Sequence, residues 1–175
     1  ITPTSLLLPP LLSNNEDITF EEILIPLIER SKVTAKLQDR KWFGPDDFPN
    51  WMKSKRDISQ SVIGEIVANL LENAFKYSPL GASIGIYFND IGLCVWDSGK
   101  PISSEIKDKI FLSGFRSDSA FKFPGSGLGL TLAKELSEQL GGTLSLEDSP
   151  KNFEKSLPKS GNAFVLKLPL KLLLA

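Results

Sequence analysis

The stretch from Ile58 to Tyr77 repeats apolar residues at the three- and four-residue spacing of a helix. Its apolar positions are Ile63, Ile66, Val67, Leu70, Leu71, Ala74 and Phe75. A face this wide has to be buried against a second layer of structure. Pro79 and Gly81 end the helix, and two short apolar runs typical of a β-hairpin follow at once. The chain is therefore constrained to a fold in which a helix packs on a sheet.

The other helices and strands follow from the same periodicities. Thr19 and Glu22 predict a capping box and a helix to about Leu37, in which Pro26 predicts a kink or a late start. We predict further helices at Glu105–Phe111 and Leu128–Leu140, and strands at Lys41–Phe43, Ile84–Phe88, Leu93–Trp96, Thr143–Glu147 and Ala163–Leu168.

Turn residues separate these elements. The hairpin turn is predicted at Asn89–Asp90, Gly141–Gly142 ends the last long helix, and a polar loop spans Asp148–Gly161. The order of elements predicts an α+β fold, a two-layer sandwich whose mixed, mostly antiparallel sheet carries helices on one face. We expect residues 1–16 to be a linker or edge segment, residues 17–170 to be one domain and residues 171–175 to be a tail.

The composition of the 175-residue chain narrows the classes of function. There is no histidine, which excludes any mechanism that needs one in this chain, such as a Ser-His-Asp triad or His-ligated zinc. A net charge of −1 gives no electrostatic basis for binding nucleic acid or an anionic membrane. The single cysteine, Cys94, cannot form an internal disulfide and favours a reducing compartment.

Three glycines at alternate positions, Gly125, Gly127 and Gly129, mark the start of the helix at Leu128–Leu140. Glycines let backbone N–H groups approach an anion closely, and a helix N-terminus favours negative charge. The spacing fits neither a Walker A loop nor a dinucleotide fingerprint, because no Gly-Lys-Ser/Thr follows and no strand directly precedes. Taken alone, the pattern is equally compatible with a phosphate site and with a flexible hinge.

Asn69, Asn73 and Lys76 lie four and three residues apart and share one face of the helix predicted at 58–77. Asparagine is a poor helix former, so two on one stripe indicate a role that offsets their cost in stability. An amide oxygen is a hard ligand suited to Mg²⁺, and a lysine can neutralise phosphate oxygens. The alternative is an ordinary solvated polar face.

Asp97 follows an apolar strand and precedes Gly99. A carboxylate buried at a strand end needs a donor, such as the exocyclic amine of adenine, and glycine would let a flat ring approach. The alternative is a simple turn stabilised by the aspartate. Phe111 and Phe115 lie in the following loop, where exposed aromatic rings are costly unless they dock or pack on the core.

In this order, the four motifs resemble the N box, first glycine box, F box and second glycine box of sensor histidine kinases. The motifs are NLLENAFKYS from Asn69, DSG from Asp97, the pair Phe111 and Phe115, and GSGLGL from Gly125. The stretch Gly161–Pro169 also fits, although Ala163 stands where many relatives have a small polar residue. Over about residues 17–170 the chain resembles the catalytic and ATP-binding domain of these kinases, in the GHKL ATPase superfamily. The resemblance implies a Bergerat ATP-binding fold.

The resemblance also implies a site for ATP and Mg²⁺. Asn73 would hold Mg²⁺ with Asn69 beside it, and Lys76 would contact phosphate. Asp97 would accept the adenine amine, supported by Gly99, with Tyr77 lining the base. The other nucleotide-binding residues implied, most of them in an ATP lid at about 100–126, are Ile102, Phe111, Phe115, Arg116, Gly125, Ser126, Gly127, Leu128, Gly129 and Leu130. Arg116 and Lys122 are candidates for contact with the γ-phosphate.

Asn69 separates the subfamilies that the resemblance leaves open. ATP-hydrolysing relatives carry a glutamate at this position that activates water, and an amide cannot do so. The resemblance therefore implies phosphoryl transfer by Asn69, Asn73 and Lys76 to a histidine. Because this chain has no histidine, we expect it to be the isolated C-terminal catalytic domain of a longer kinase, acting on a separate dimerisation domain. Glu65 is expected to be structural, whereas Glu72 would adjoin the site.

Two alternatives remain open: a serine protein kinase of the anti-sigma type, and a degenerate domain that holds nucleotide as a scaffold. The partners implied are the phosphoacceptor domain and a response regulator, without nucleic acid and without direct membrane contact. A cytoplasmic domain that is monomeric in isolation is expected.

Overall fold

The computed structural model describes residues 18–54, 61–112 and 129–174. Its helices are α1 (Phe20–Leu37), α2 (Ser61–Tyr77), α3 (Ser104–Lys107), α4 (Gly129–Gln139) and α5 (Leu170–Leu173). Its strands are β1 (Lys41–Phe43), β2 (Ser83–Asn89), β3 (Gly92–Asp97), β4 (Thr143–Glu147) and β5 (Asn162–Lys167). Single turns of 3-10 helix occur at Asn50–Met52 and Pro150–Asn152.

The strands of the described residues form one sheet in the order β1-β2-β3-β5-β4. β1 runs parallel to β2, and the other neighbouring pairs are antiparallel. In the β2–β3 hairpin Asn89 pairs with Gly92, so the turn is Asp90–Ile91 and the prediction of Asn89–Asp90 is wrong by one residue. The side chain of Asn89 explains the shift, because its Oδ1 accepts from the N–H of Ile91 at 3.0 Å. The mixed, mostly antiparallel sheet is confirmed.

The helices pack on one face of this sheet, as predicted. Side chains along a strand alternate between the two faces, and Leu93, Val95, Phe164 and Leu166 all point into the main core. The apolar face of α2 covers them, with Ile63, Ile66, Val67 and Leu70 each 0% exposed. Burying side chains of this size stabilises the fold by about 1.5–3 kcal/mol each, so the width of this face determines the layering.

Residues 148–161 cover the opposite face of the sheet. Cys94, Trp96, Ala163 and Val165 form a second apolar cluster there, and Phe153 and Leu157 pack against it. Asn89 fixes this cover by donating from Nδ2 to the carbonyl oxygen of Phe153 at 3.2 Å. The polar composition of the segment concealed its two apolar anchors.

Helix α1 begins at the predicted capping box. The N–H of Glu22 donates to Thr19 Oγ1 at 3.1 Å, and the N–H of Thr19 donates to Glu22 Oε1 at 3.4 Å. The helix continues through Pro26, so the late start is wrong. Proline removes the hydrogen bond that the carbonyl of Glu22 would otherwise accept and crowds that carbonyl, and the helix tolerates both effects.

The two later helices differ from the prediction in extent. α3 ends at Lys107 instead of Phe111, and beyond it the chain makes turn bonds such as Leu112 N–H to Lys109 O at 2.9 Å. α4 ends before Gly141, whose φ of +83° suits glycine at this position, as predicted. None of the described helices combines the length and hydropathy needed to cross a membrane.

Arg40 forms hydrogen bonds with the C-terminal end of α2. Its Nη2 donates to the carbonyl oxygens of Ser78 at 2.6 Å and Phe75 at 3.2 Å, and its Nε donates to Ser78 Oγ at 3.2 Å. The last carbonyls of a helix have no partner within the helix, and a cation is favourable at this end. One guanidinium therefore sets the position at which the chain leaves α2.

Replacing Arg40 with methionine is expected to lower the free energy of unfolding by about 2 kcal/mol, because these carbonyls lose a charged donor. Urea denaturation measures the loss. The control is Arg30→Met on the exposed face of α1, which should change stability by less than about 0.5 kcal/mol. Equal stability of the two variants would contradict the assignment.

Candidate nucleotide-binding site

Asp97 ends β3 at the border of the main core. It continues the face of Leu93 and Val95, so its side chain lies on the helix side of the sheet. The residue is 7% exposed. Desolvation by burial raises the pKa of this carboxyl group, and hydrogen bonds from Gly99 and Asn162 oppose the rise.

The two donors to Asp97 reach the same oxygen. The N–H of Gly99 donates to Oδ1 at 2.8 Å, and Asn162 Nδ2 donates to Oδ1 at 3.3 Å. Among the described residues no group donates to Oδ2. A buried carboxylate oxygen without a donor is costly, so this atom is suited to a ligand that brings an N–H.

Gly99 joins this carboxylate to the end of α2. A Cβ atom at Gly99 would lie 2.8 Å from Asp97 Oδ1 and 3.0 Å from Pro79 Cδ, so a side chain there would displace the carboxylate. Pro79 comes two residues after the last residue of α2. Glycine thus keeps the Asp97 carboxylate in place, and the turn packs directly on the end of the helix.

The two asparagines of the predicted stripe use their amide nitrogens in the same way. Asn69 Nδ2 donates to the carbonyl oxygen of Glu65 at 3.0 Å, and Asn73 Nδ2 donates to that of Asn69 at 3.1 Å. A backbone carbonyl can only accept, so each amide turns its nitrogen to the helix and its Oδ1 away from it. The stripe therefore presents amide oxygens, which accept hydrogen bonds and suit hard cations.

Gly129 brings the start of α4 onto this stripe. A Cβ atom at Gly129 would lie 3.1 Å from Asn69 Oδ1 and 3.8 Å from Asn73 Nδ2. The first N–H groups of a helix have no partner within the helix and attract anions. The described part of the second glycine motif thus adjoins the N-box asparagines.

Lys76 and Tyr77 lie on the last turn of α2. Lys76 Nζ is 3.8 Å from Glu72 Oε1 and 5.8 Å from the centroid of the Tyr77 ring. Tyr77 is 42% exposed, and the Glu72 side chain is 69% exposed. A pair this open and long contributes little to stability, so the ammonium can be drawn to another anion at small cost.

The amide stripe and the Asp97 carboxylate lie at different positions along the axis of α2. Asn73 and Pro79 are six residues apart, which corresponds to about 9 Å along a helix axis. One end offers a buried carboxylate acceptor beside a glycine, and the other offers amide oxygens, a lysine and a helix N-terminus. This arrangement suits a ligand with a flat polar base at one end and phosphates at the other.

Other predicted residues pack on the core. The Phe111 ring lies 6.1 Å from that of Phe164, and its carbonyl oxygen accepts from Thr131 Oγ1 at 2.9 Å. Of the two options for Phe111, core packing is the one observed. Leu130 is 6% exposed within the main core, and Ile102 packs against it.

The remaining predicted residues lie outside the described part of the chain. They are Phe115, Arg116, Lys122, Gly125, Ser126, Gly127 and Leu128. Their roles stay predictions. Within the described ranges no group of three or more aspartate, glutamate or cysteine side chains is arranged to hold a metal ion.

Asn162 lies beside Asp97, and the sequence did not single it out. It is 7% exposed and pairs in register with Asp97 across β3 and β5. The available signal was a polar residue between Gly161 and an otherwise apolar strand. That signal becomes informative only once the pairing of the two strands is known.

Comparison with known proteins agrees with this fold. The family model described as histidine kinase-, DNA gyrase B-, and HSP90-like ATPase matches residues 59–172. The chain belongs to this ATPase family. Within the family, the relatives that it matches include sensor histidine kinases, and its fold is that of a solved histidine kinase catalytic domain, which confirms the resemblance and the fold class.

Two relatives and one solved structure illustrate the match. Sensor histidine kinase Hik2 of Thermosynechococcus vestitus is 32% identical over 170 residues, which are 91% of this chain and 40% of that protein. The kinase/phosphatase MprB of Mycolicibacterium vanbaalenii is 41% identical over 92 residues, 50% of this chain and 19% of that protein. A solved structure of mycobacterial MprB superposes with a TM-score of 0.64 at 27% identity, covering 88% of this chain and 97% of that chain. The chain thus spans less than half the length of these full-length relatives.

Proposed function

We propose that this domain binds ATP with Mg²⁺ and transfers the γ-phosphoryl group to a histidine on a separate dimerisation domain. The observation that carries the proposal is the buried Asp97 carboxylate, whose Oδ2 has no donor among the described residues. The 6-amine of adenine supplies that donor. Guanine presents a carbonyl oxygen at the same position, so the pocket selects adenine.

The Mg²⁺ site would be built around Asn73. Mg²⁺ keeps several waters and takes few protein ligands besides substrate phosphates. The amide oxygen of Asn73 is turned away from its helix because Nδ2 is bonded to the Asn69 carbonyl, which fits this donor chemistry. When bound, Mg²⁺ would neutralise charge on the phosphate oxygens.

The phosphates would lie between Lys76 and the start of α4. Lys76 contributes a positive charge, and the first turn of α4 at Gly129 contributes N–H groups. Arg116, Gly125 and Gly127 are the lid residues we propose to complete this end. Tyr77 would line the open side of the base.

Phosphoryl transfer is favoured over hydrolysis by Asn69. An amide cannot take a proton from water, whereas a neutral imidazole is already a nucleophile. Transfer then depends on positioning and charge stabilisation, which this site supplies. We propose a response regulator as the onward phosphate acceptor and the cytoplasm, where ATP is abundant, as the place of action.

The test supplies radiolabelled Mg²⁺-ATP and the dimerisation domain of the Hik2 relative as a separate chain. The expected product is a phosphate on that domain which is lost in acid and stable in base, as phosphohistidine is. Phosphate release without the acceptor should stay at background. An acid-stable phosphate would favour the serine-kinase alternative, and ATP binding with no transfer would favour the scaffold alternative.

A further inference from the structure

We propose that Asn162 is a positioning residue that aims the Asp97 carboxylate at the base of the nucleotide and ties it to residues 100–102. This inference rests on the proposed ATP site. It concerns a residue that makes no contact with ATP in that proposal. Its effect would pass entirely through Asp97 and the backbone beside it.

The location of Asn162 comes from strand pairing. Asn162 is the first residue of β5 and lies directly opposite Asp97, the last residue of β3. It shares the face of Phe164 and Leu166, just as Asp97 shares that of Leu93 and Val95. Asp97 and Asn162 therefore lie side by side at the ends of β3 and β5, next to the core-facing residues of these strands. Both are 7% exposed.

Both the nitrogen and the oxygen of the Asn162 side-chain amide form hydrogen bonds. Nδ2 donates to Asp97 Oδ1 at 3.3 Å and to the carbonyl oxygen of Lys100 at 2.9 Å. Oδ1 accepts from the N–H of Ile102 at 2.9 Å. One side chain thus bridges three positions in the segment 97–102.

These partners fix the orientation of the amide. The carbonyl of Lys100 can only accept and the N–H of Ile102 can only donate, so the amide cannot be flipped without losing both bonds. The nitrogen must therefore face Asp97. With Asn162 and Gly99 both donating to Oδ1, the other oxygen is left to the ligand.

The neighbouring backbone restricts the position of Asn162 relative to Asp97. Gly161 has a φ of +155°, and a Cβ atom there would collide with the carbonyl oxygen of Asp97. The two strand ends are thus in direct backbone contact beside the amide. Asn162 is held at a fixed distance from the carboxylate that it orients.

The experiment compares ATP with purine riboside triphosphate, which lacks the 6-amine and so makes no use of Asp97 Oδ2. Asn162→Ala should weaken ATP binding about tenfold and binding of the analogue less than about threefold, because only ATP needs an aimed carboxylate. Calorimetry in Mg²⁺ measures both. Asn152→Ala, an exposed asparagine on the other side of the sheet, is the matched control and should change neither.

Asn162→Asp is the second variant and guards against a folding defect. It keeps an oxygen to accept from Ile102 but loses the donor to Asp97. Its affinity for ATP should therefore also fall more than its affinity for the analogue. Equal weakening of both nucleotides in either folded variant, or no weakening, would overturn the positioning role. Failure of the unsubstituted protein to bind ATP would instead overturn the proposed function, so the two failures are distinguishable.

Discussion

Replacing Asp97 with asparagine is expected to weaken the binding of Mg²⁺-ATP at least about 100-fold, because a buried donor then faces the adenine amine where an acceptor is needed. Oδ2 becomes an NH₂ group, and two donors cannot satisfy each other. Nearly all of the loss should fall on nucleotides that carry the 6-amine. Purine riboside triphosphate should be affected much less.

The same substitution should leave the fold intact. Asparagine keeps an Oδ1 that can accept from Gly99 and Asn162 and removes a carboxylate that is costly to bury. Because burial raises the pKa of Asp97, the folded protein holds this proton to higher pH than the unfolded chain. The stability associated with the neutral group is present below the unfolded pKa and is lost as pH rises through the raised folded pKa. Asparagine does not titrate, so the variant does not lose this stability. The free energy of unfolding of the variant, compared with that of the unsubstituted protein, should therefore increase with pH between the unfolded and the folded pKa of Asp97.

Calorimetric titration and thermal melting at several pH values measure the two effects. Asp90→Asn, in the exposed β2–β3 turn, is the control and should bind ATP normally. ATP binding that survives Asp97→Asn in a folded protein would place the adenine pocket elsewhere. Lost binding together with a lower melting temperature would instead indicate a structural defect.

Replacing Asn73 with alanine is expected to abolish the dependence of ATP binding on Mg²⁺ and to lower phosphoryl transfer by about 100-fold or more, because a positioned cation carries much of the charge stabilisation. The unsubstituted domain should bind ATP more tightly in Mg²⁺ than in EDTA. In the variant the two affinities should become equal. Alanine is the best helix former, so α2 should tolerate the change.

Asn73→Asp tests the role of the side-chain oxygen separately from that of the amide nitrogen. It retains an oxygen for Mg²⁺ but loses the bond from Nδ2 to the carbonyl of Asn69. Partial recovery of Mg²⁺ dependence with Asp, but not with Ala, is the expected pattern. A variant with alanine that still needs Mg²⁺ for tight binding would show that the cation is held by other groups.

The layers of the fold were predictable because they depend on local periodicity. The apolar face of α2 specifies a helix and the side that it buries, and the short apolar runs at β2 and β3 specify two strands, of which β3 is buried on both faces. Element ends were less predictable, since side chains decide them. Asn89 moves the hairpin turn by one residue, and the apolar pattern at 105–111 overstated a helix of four residues.

The arrangement of side chains was predictable where it follows from the spacing of residues along one helix. It was not predictable where it follows from the pairing of two strands. Asn69 and Asn73 share a helix face by their separation alone. Asn162 acts on Asp97 across 65 residues of sequence, so its role depends on the neighbouring placement of β3 and β5. Phe111 carried equal signals for ligand contact and core packing, and its packing against Phe164 became visible only in the structure. Its contact with nucleotide stays a prediction.

The cover formed by residues 148–161 turns Cys94 into a reporter of conformational opening. The thiol is buried beneath Phe153 and Leu157, and burial raises its pKa, so both access and thiolate are suppressed in the folded protein. As the chain has one cysteine, any label attaches at one place. The labelling rate in native buffer therefore measures how often this cover lifts, and comparison with the global unfolding rate shows whether it opens alone or together with the core.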